Sequence, residues 1–372
     1  MRVRNYVTLG DVCEKGSSNI AQKDLEQCDG EYPVFGASGW IKNVSFFSQE
    51  KEYIAIVKDG AGIGRTMLLP AFSSVIGTMQ YIFPNEKVDI RYLYYVLNWM
   101  NLAKYYSGAT IPHIYFRDYK KEQFPLQPLE EQRRIAAVLD KVCDLIALRR
   151  KQLERLDLMV KARFVEMFGD TIKNTYGWNQ QYLSDITLKI GSGATPKGGK
   201  ESYCLDGITF IRSMNVYDGR FEYKDLAYIN EAQAKSLNNV IVCKNDVFIN
   251  ITGASVARSC IVPDEVLPAR VNQHVAIIRC MEKEINPIFL NNMFINENFK
   301  KHLLAIGESG GATRQAITKQ QLESLFIIVP PLNLQQEFAD FVTEIDKLKL
   351  PIQRSLDTLE VCKKSLMQEY FG

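Results

Sequence analysis

Hydrophobic positions along this chain follow two periods. Ile135, Leu139, Val142, Ile146, Arg149, Leu153, Leu156, Val160, Arg163 and Met167 are spaced alternately by four and three residues, the repeat of a coiled-coil seam. The same alternation returns at Phe338, Val342, Ile345, Lys349, Ile352, Leu356, Leu359, Lys363, Leu366 and Tyr370. Each series predicts a helix of roughly 40 residues, about 60 Å long. Proline-rich approaches (Pro125-Leu126-Gln127-Pro128 and Pro330-Pro331) precede both, and Gly169 follows the first, as helix starts and stops require. Charged interruptions fall at different places in the two series. Arg149 stands where the second has Ile352, Lys349 where the first has Ile146, and Arg163 where the second has Leu366. Helices packed on each other would use such differences to set register; the alternative is that each lies on its own domain. Pro351 is expected to bend or split the second helix.

Outside these helices the apolar runs are short. Tyr53–Val57, Gln80–Phe83, Asp246–Ile249 and His274–Ile278 read as strands, with helical patches over Ile90–Tyr106 and Ile288–Leu304. The expected fold class is α+β, with two mixed α/β domains separated by two long antiparallel coiled-coil helices in an internal pseudo-twofold repeat.

The repeat is explicit in the residues. Pro128-Leu129-Glu130-Glu131-Gln132 aligns with Pro331-Leu332-Asn333-Leu334-Gln335 at an offset of 203, and that offset runs without a gap to Phe168-Gly169 over Phe371-Gly372. Backwards it lays Gly108-Ala109-Thr110 on Gly311-Ala312-Thr313. Further upstream the offset shrinks: Gly60-Ala61-Gly62-Ile63-Gly64-Arg65 falls on Gly253-Ala254-Ser255-Val256-Ala257-Arg258, and Leu9-Gly10-Asp11-Val12 on Leu183-Ser184-Asp185-Ile186. The second globular half therefore carries insertions in the same frame. The boundaries expected are 1–128 and 170–330 for the globular domains, and 129–169 and 331–372 for the helices.

Composition narrows the class of protein. At 372 residues, 46% hydrophobic and 24% charged, the chain fits two folded domains. A net charge of +2 would not by itself suggest nucleic acid. No apolar run is long enough to span a membrane and no secretory signal opens the chain, so a cytoplasmic location is expected. Eight cysteines include no CxxC pair and no histidine at ligand spacing, so neither metal nor disulfide framework is expected. Catalytic patterns are missing too. Around Gly193 and Gly198 a phosphate-loop spacing appears, but Gly199 occupies the lysine position. No dinucleotide fingerprint, no Asn-Pro-Pro-aromatic or Asp-Pro-Pro-Tyr motif and no nuclease cluster is present. His113, His274 and His302 have no matched nucleophile and acid. No catalytic residue is assigned.

Repeats that open with Pro-Leu-x-x-Gln and end in Phe-Gly resemble the specificity subunits of type I restriction–modification systems. So do Ile190-Gly191-Ser192-Gly193-Ala194-Thr195-Pro196 followed by Gly207-Ile208-Thr209-Phe210-Ile211-Arg212, and Tyr32-Pro33-Val34-Phe35-Gly36-Ala37-Ser38-Gly39. The resemblance covers essentially the whole chain. It implies that each globular half is a target-recognition domain reading one part of an asymmetric, bipartite site on double-stranded DNA. The helices would form the spacer and dock adenine methyltransferase subunits, which restriction and translocase subunits join. S-adenosylmethionine, ATP and Mg are expected on those partners, with no cofactor in this chain. Two other readings compete: a protein-binding assembly scaffold, and a recognition fragment of a fused restriction–methyltransferase. The second would have a methyltransferase domain ahead of the first recognition domain, where this sequence starts at Met1.

Bases are read by polar side chains on loops that enter a groove. The glycine-rich turns shared by both halves are candidates. One is Lys58 to Arg65, matched by Asn250 to Arg258 and including Thr252. The other is Ser107 to His113, matched by Gly310 to Gln315 and including Thr313. Features common to both halves cannot encode two different sequences, so reading residues are expected where the halves differ. Lys42, Asn43, His113, Arg117, Arg212, Asn215, Arg220 and Arg314 are the candidates of that kind.

Overall fold

A computed structural model describes residues 5–108, 111–196, 198–308 and 315–372. The chain divides into two compact units. The first is the chain up to Lys151 together with Gln353–Gly372; the second is Gln152–Ile352. Each unit therefore takes a portion of both long helices.

The first unit contains β1 (Cys13–Ser17), β2 (Tyr32–Gly36), β3 (Gly39–Val44), β4 (Tyr53–Val57), β5 (Thr66–Leu69), β6 (Ser74–Val75), β7 (Met79–Pro84), α1 (Ile90–Trp99) and the start of α2 (Leu129–Phe168). A four-stranded antiparallel sheet has the order β1-β7-β4-β5, and a three-stranded sheet the order β3-β2-β6, with β6 parallel to β2. The second unit contains β8 (Thr187–Ser192), β9 (Ile208–Ile211), β10 (Val216–Tyr217), β11 (Arg220–Phe221), β12 (Ala227–Ile229), β13 (Val247–Asn250), β14 (Ser259–Ile261), β15 (Ala269–Val271), β16 (Val275–Cys280), α3 (Pro287–Ile295), α4 (Glu297–Glu308) and part of α5 (Leu332–Phe371). Its sheets repeat the same topology, β8-β16-β13-β14 and β12-β9-β15. The β10–β11 hairpin is inserted between β9 and β12.

The central strands β4 and β13 are largely apolar because both faces are covered. Ile54 and Ile56 join the core under α1, whereas Tyr53, Ala55 and Val57 join the core beside the three-stranded sheet. Val247 and Ile249 are split from Phe248 in the same manner. The helical patches are shorter than their apolar pattern. α1 ends at Trp99, where Asn101 takes φ +48°, and the second patch breaks at Asn296. Asp89 caps α1 by accepting from the N–H groups of Arg91 and Tyr92, and Asn286 caps α3 at Ile288 and Phe289.

The glutamine of the repeated Pro-Leu-x-x-Gln is fully buried in both copies. Gln132 Oε1 accepts from Asp89 N at 2.7 Å, while its Nε2 donates to Lys87 O and Gln127 O at 3.0 and 2.7 Å. Gln335 repeats the arrangement with Asn286 N at 2.8 Å, Glu284 O at 3.2 Å and Pro330 O at 2.8 Å. Each amide thus bolts the first turn of a long helix to the capping loop of α1 or α3.

The seam residues lie as follows. Ile135, Leu139, Ile146, Phe338, Val342, Ile345 and Leu356 are buried, and Val142, Leu153, Leu156, Ile352 and Leu359 are half-buried. Within each unit the helix segments run antiparallel. In the first, Arg149 Nε donates to Ser355 Oγ at 3.1 Å and Arg150 pairs with Glu360 at 2.7 Å. In the second, Arg163 pairs with Glu337 and Lys349 with Asp157, both at 2.8 Å. Burial lowers the pKa of the Lys349 ammonium, but Asp157 and Asp346 together outweigh that and hold it above its ordinary value. Arg149, Arg163 and Lys349 are therefore paired across the seam, and the two sequence alternatives are both realised: helix packs on helix, and each segment also packs on its unit. α5 continues through Pro351 without splitting. Among the described residues no helix is long and apolar enough to cross a membrane.

Towards their C-terminal ends the helices leave the heptad seam and enter a core. Phe164 and Phe168 pack with Phe289 and Phe338 in the second unit, with ring centroids 4.7–5.7 Å apart. In the first unit Phe371 meets Tyr92 at 5.3 Å and Trp99 at 6.3 Å. Truncating Phe371 to Ala should destabilise the first unit by about 3–5 kcal/mol. Gln132→Leu leaves three part-buried backbone groups without their amide partner, and should cost about 1–3 kcal/mol in all, because water can reach some of them. Urea unfolding followed by fluorescence should show both losses in the first unit, with the second unit's transition unmoved. A change below about 1 kcal/mol for Gln132→Leu would contradict the bolt.

Candidate nucleic-acid interface

In each half the turn at Gly60 or Gly253 is held by the same backbone clamp to a distant segment, Pro112–Ile114 or Gln315–Ile317. In the first unit Gly60 N donates to Pro112 O and Ile114 N to Lys58 O, at 2.9 and 3.0 Å. In the second, Gly253 N donates to Gln315 O and Ile317 N to Ile251 O, at 2.9 and 2.8 Å. The turns themselves match bond for bond. Val57 N to Arg65 O and Gly64 N to Val57 O correspond to Asn250 N to Arg258 O and Ala257 N to Asn250 O. Positive φ recurs at Gly60 (+90°) and Gly253 (+76°), and at Gly64 (+80°) and Ala257 (+64°). Each turn borders a cleft, of about 440 Å³ beside Gly62, Arg65 and Asn98 and about 620 Å³ beside Tyr217, Thr252, Arg258 and His274.

The side chains mounted on this frame differ. In the first unit Lys58 Nζ pairs with Asp59 Oδ2 at 2.6 Å, and Asp59 Oδ1 pairs with His113 Nδ1. The His113 ring lies 4.1 Å from Tyr115, and the Arg117 guanidinium sits 4.6 Å over that tyrosine. A chain of contacts, Lys58–Asp59–His113–Tyr115–Arg117, thus runs out to the exposed Arg117, which also pairs with Asp118 at 3.7 Å. The second unit has Ala316, Thr318 and Gln320 at the positions of His113, Tyr115 and Arg117. It holds instead a polar chain in which Thr195 Oγ1 donates to Gln273 Oε1, Gln273 Nε2 pairs with His274 Nε2 at 3.1 Å, and His274 Nδ1 pairs with Thr252 Oγ1. Gly193, in the Gly-Ser-Gly segment, lets the backbone pass: a Cβ there would stand 1.8 Å from Val271 O.

Several of the expected reading residues are committed elsewhere. Asn215 is completely buried, with its Oδ1 accepting from Arg212 N and its Nδ2 donating to Glu222 O and Lys224 O, which takes it out of reach of any ligand. Lys42 Nζ is drawn inward to Leu25 O, Glu26 O and Asp29. Asn43 Oδ1 accepts from the Trp40 indole N–H at 2.8 Å. Arg212 donates to Asp225 O and lies 5.6 Å over Tyr203. Arg65 donates to Ala37 O at 2.6 Å, and Arg258 lies 4.5 Å over Tyr217. Arg117 and Arg220 are 75% and 67% exposed and make only long ion pairs, with Asp118 at 3.7 Å and Glu222 at 3.6 Å. Thr313 and Arg314 lie outside the described residues. Trp40, Tyr115 and Tyr217 also lie beside these segments and are not among the expected polar readers; their signal in the sequence is an aromatic residue near a glycine-rich turn. All eight cysteines are free, and no group of three or more metal-ligating side chains is found among the described residues.

Comparison with known proteins agrees with this two-copy frame. The model of the type I restriction modification DNA specificity domain matches residues 4–158 and 176–360. The chain is 24% identical, over 390 residues, to the type I restriction enzyme MjaVIII specificity subunit of Methanocaldococcus jannaschii, covering 97% of this chain and 90% of that one. The fold resembles the crystal structure of the type I restriction–modification system S subunit from M. genitalium, with TM-score 0.67, 16% identity and coverage of 100% and 97%. It also resembles a chain from work on complex assembly and conformational transition of the type I R-M system, with TM-score 0.51, 17% identity and coverage of 98% and 97%. The chain belongs to the type I restriction–modification DNA specificity family. It is a specificity subunit, a non-catalytic kind of chain.

The shared turn makes different demands on Gly60 and Gly64, the two first-half glycines with positive φ. At Gly60 a Cβ meets nothing within 4 Å, so Gly60→Ala costs only the left-handed backbone, about 1–2 kcal/mol. At Gly64 the added Cβ would also stand 2.6 Å from Ala103 N, so Gly64→Ala should cost distinctly more. Chemical denaturation of the two variants checks this order; equal losses would contradict it.

Proposed function

We propose that this specificity subunit reads an asymmetric, bipartite sequence on double-stranded DNA, one part with each globular unit. The observation that carries the reading is the clamped turn, repeated bond for bond in both units while the side chains around it differ. A constant backbone frame with unlike contact residues is what two unlike half-sites require, since phosphate and backbone contacts position and side chains specify. One unit offers an exposed cation–aromatic stack and the other a hydroxyl–amide–imidazole chain, and these favour different base edges.

The long helices supply the docking surface for adenine methyltransferase subunits in this reading, with restriction and translocase subunits joining them. Exposed apolar side chains on the helices support it: Leu145 and Leu148 in the first unit, and Leu158, Met159, Val165, Leu348 and Leu350 in the second. Apolar surface of this kind on a soluble helix marks an interaction face. S-adenosylmethionine, ATP and Mg would be bound by those partners, and the assembled enzyme would work in the cytoplasm, where its DNA is.

A chimera tests the reading. Replacing residues 170–325 with the corresponding domain of another family member, in complex with the methyltransferase, should change one half-site of the methylated sequence and leave the other intact. Change in both half-sites, or equal methylation of random and preferred duplexes by the parent complex, would overturn it in favour of an assembly scaffold.

A further inference from the structure

The shared turn braces a neighbouring segment in each unit, and that segment is where the two halves diverge most. In the first unit Arg65 Nη1 donates to Ala37 O at 2.6 Å, pinning the tip of the β2–β3 hairpin against the turn. In the second unit the chain after β9 enters an insertion made of the turn Ser213–Asn215 and the β10–β11 hairpin. Arg258, the counterpart of Arg65, lies 4.5 Å over Tyr217 of that insertion, and Asn250 Nδ2 donates to Ser213 O at 2.9 Å. The arginine that the two halves have in common thus braces the short β2–β3 connection in one half and, in the other, the longer insertion that stands between β9 and β12.

Resting on the DNA-recognition reading, we propose that these braced segments are the base-contacting elements, with Trp40 the contact side chain of the first half and Arg220 that of the second. Trp40 is 63% exposed at the start of β3, whereas Trp99 and Trp178 pack against the cores of their units. Its one polar donor is used internally on Asn43. That bond fixes the ring and leaves an oriented apolar surface, a poor arrangement for solvent and a good one for stacking on a base or touching a thymine methyl group. Pre-orientation of this kind lowers the entropy lost on binding. Lys42, on the same strand, is turned inward to backbone carbonyls, so the indole is the group this strand presents.

The second hairpin is fixed as firmly. Gly219, with φ +65°, closes its turn and donates to Ser259 O at 2.8 Å, and Lys300 pairs with Asp218 beside it. Arg220 stands at this turn with its guanidinium 5.2 Å over Tyr217. Its Nη2 also lies 3.6 Å from Glu222 Oε2, a long and exposed ion pair that a guanine edge would replace, so the fork held over the ring retains donors for a base.

The test uses the complex of this chain with its methyltransferase subunits and duplexes in which each half-site is randomised in turn. Trp40→Ala should lower kcat/KM on the preferred duplex by about tenfold to a hundredfold, as expected for one stacked base. It should flatten the preference at one half-site only, with Trp40→Phe retaining most of it. Arg220→Ala should flatten the other half-site. Unchanged profiles for both alanine variants, or a uniform loss at both half-sites, would overturn the proposal while leaving DNA recognition intact. If the parent complex itself shows no preference, it is the recognition reading that fails. Should Trp40→Ala not fold, ultraviolet cross-linking of the parent complex to duplexes carrying 5-iodouracil decides. Attachment to the peptide containing Trp40 supports the assignment, and attachment only outside both hairpins refutes it.

Discussion

Gln132 and Gln335 each commit a whole side-chain amide to joining three stretches of backbone: the first turn of a long helix, the segment before it, and the loop that caps α1 or α3. Without that bolt the helix would be held to its unit mainly by non-directional apolar contacts, which fix neither rotation nor register. With it, the seam faces its partner segment, and Arg149, Lys349 and Arg163 find Ser355, Asp157 and Glu337. Satisfied polar groups inside a protein specify geometry more than they add stability, because any slip leaves donors and acceptors unpaired.

On the frame so fixed, constancy and variation are separated. Backbone hydrogen bonds define the turns at Gly60 and Gly253 identically, and side chains do not enter that definition. Substitution and insertion around the turn therefore leave its shape alone. The insertion that carries Tyr217 and Arg220 follows β9 without disturbing the pairing of β9 with β12 and β15. A protein that must present two different surfaces from one ancestral unit can vary those surfaces freely under such an arrangement.

The repeat, the helices and many of the strands were legible in the sequence because periodicity and matched motifs report local geometry directly. The ends of the seam were not. Phe164, Phe168, Met367 and Phe371 leave the four–three alternation because those turns enter the cores of the globular units, where Phe289 of α3 or Tyr92 of α1 joins the packing, and periodicity does not name the partner. The clamp on the glycine-rich turn was also hidden, since it depends on Gly60 and Pro112 coming together across the fold. Residue type alone overstated which side chains were available. Asn215 and Lys42 look like reading residues, but nearby carbonyls consume their donors. Trp40 was overlooked because its polarity is low, although its exposure is what sets it apart.

The central claim is that one chain reads two unlike half-sites. Single-molecule mapping of methylated adenines in cells that express this subunit with its methyltransferase tests it most directly. The account predicts one dominant motif with two different half-sites, a fixed gap between them and a methylated adenine in each. A palindromic motif, a single uninterrupted motif, or methylation without sequence preference would contradict it.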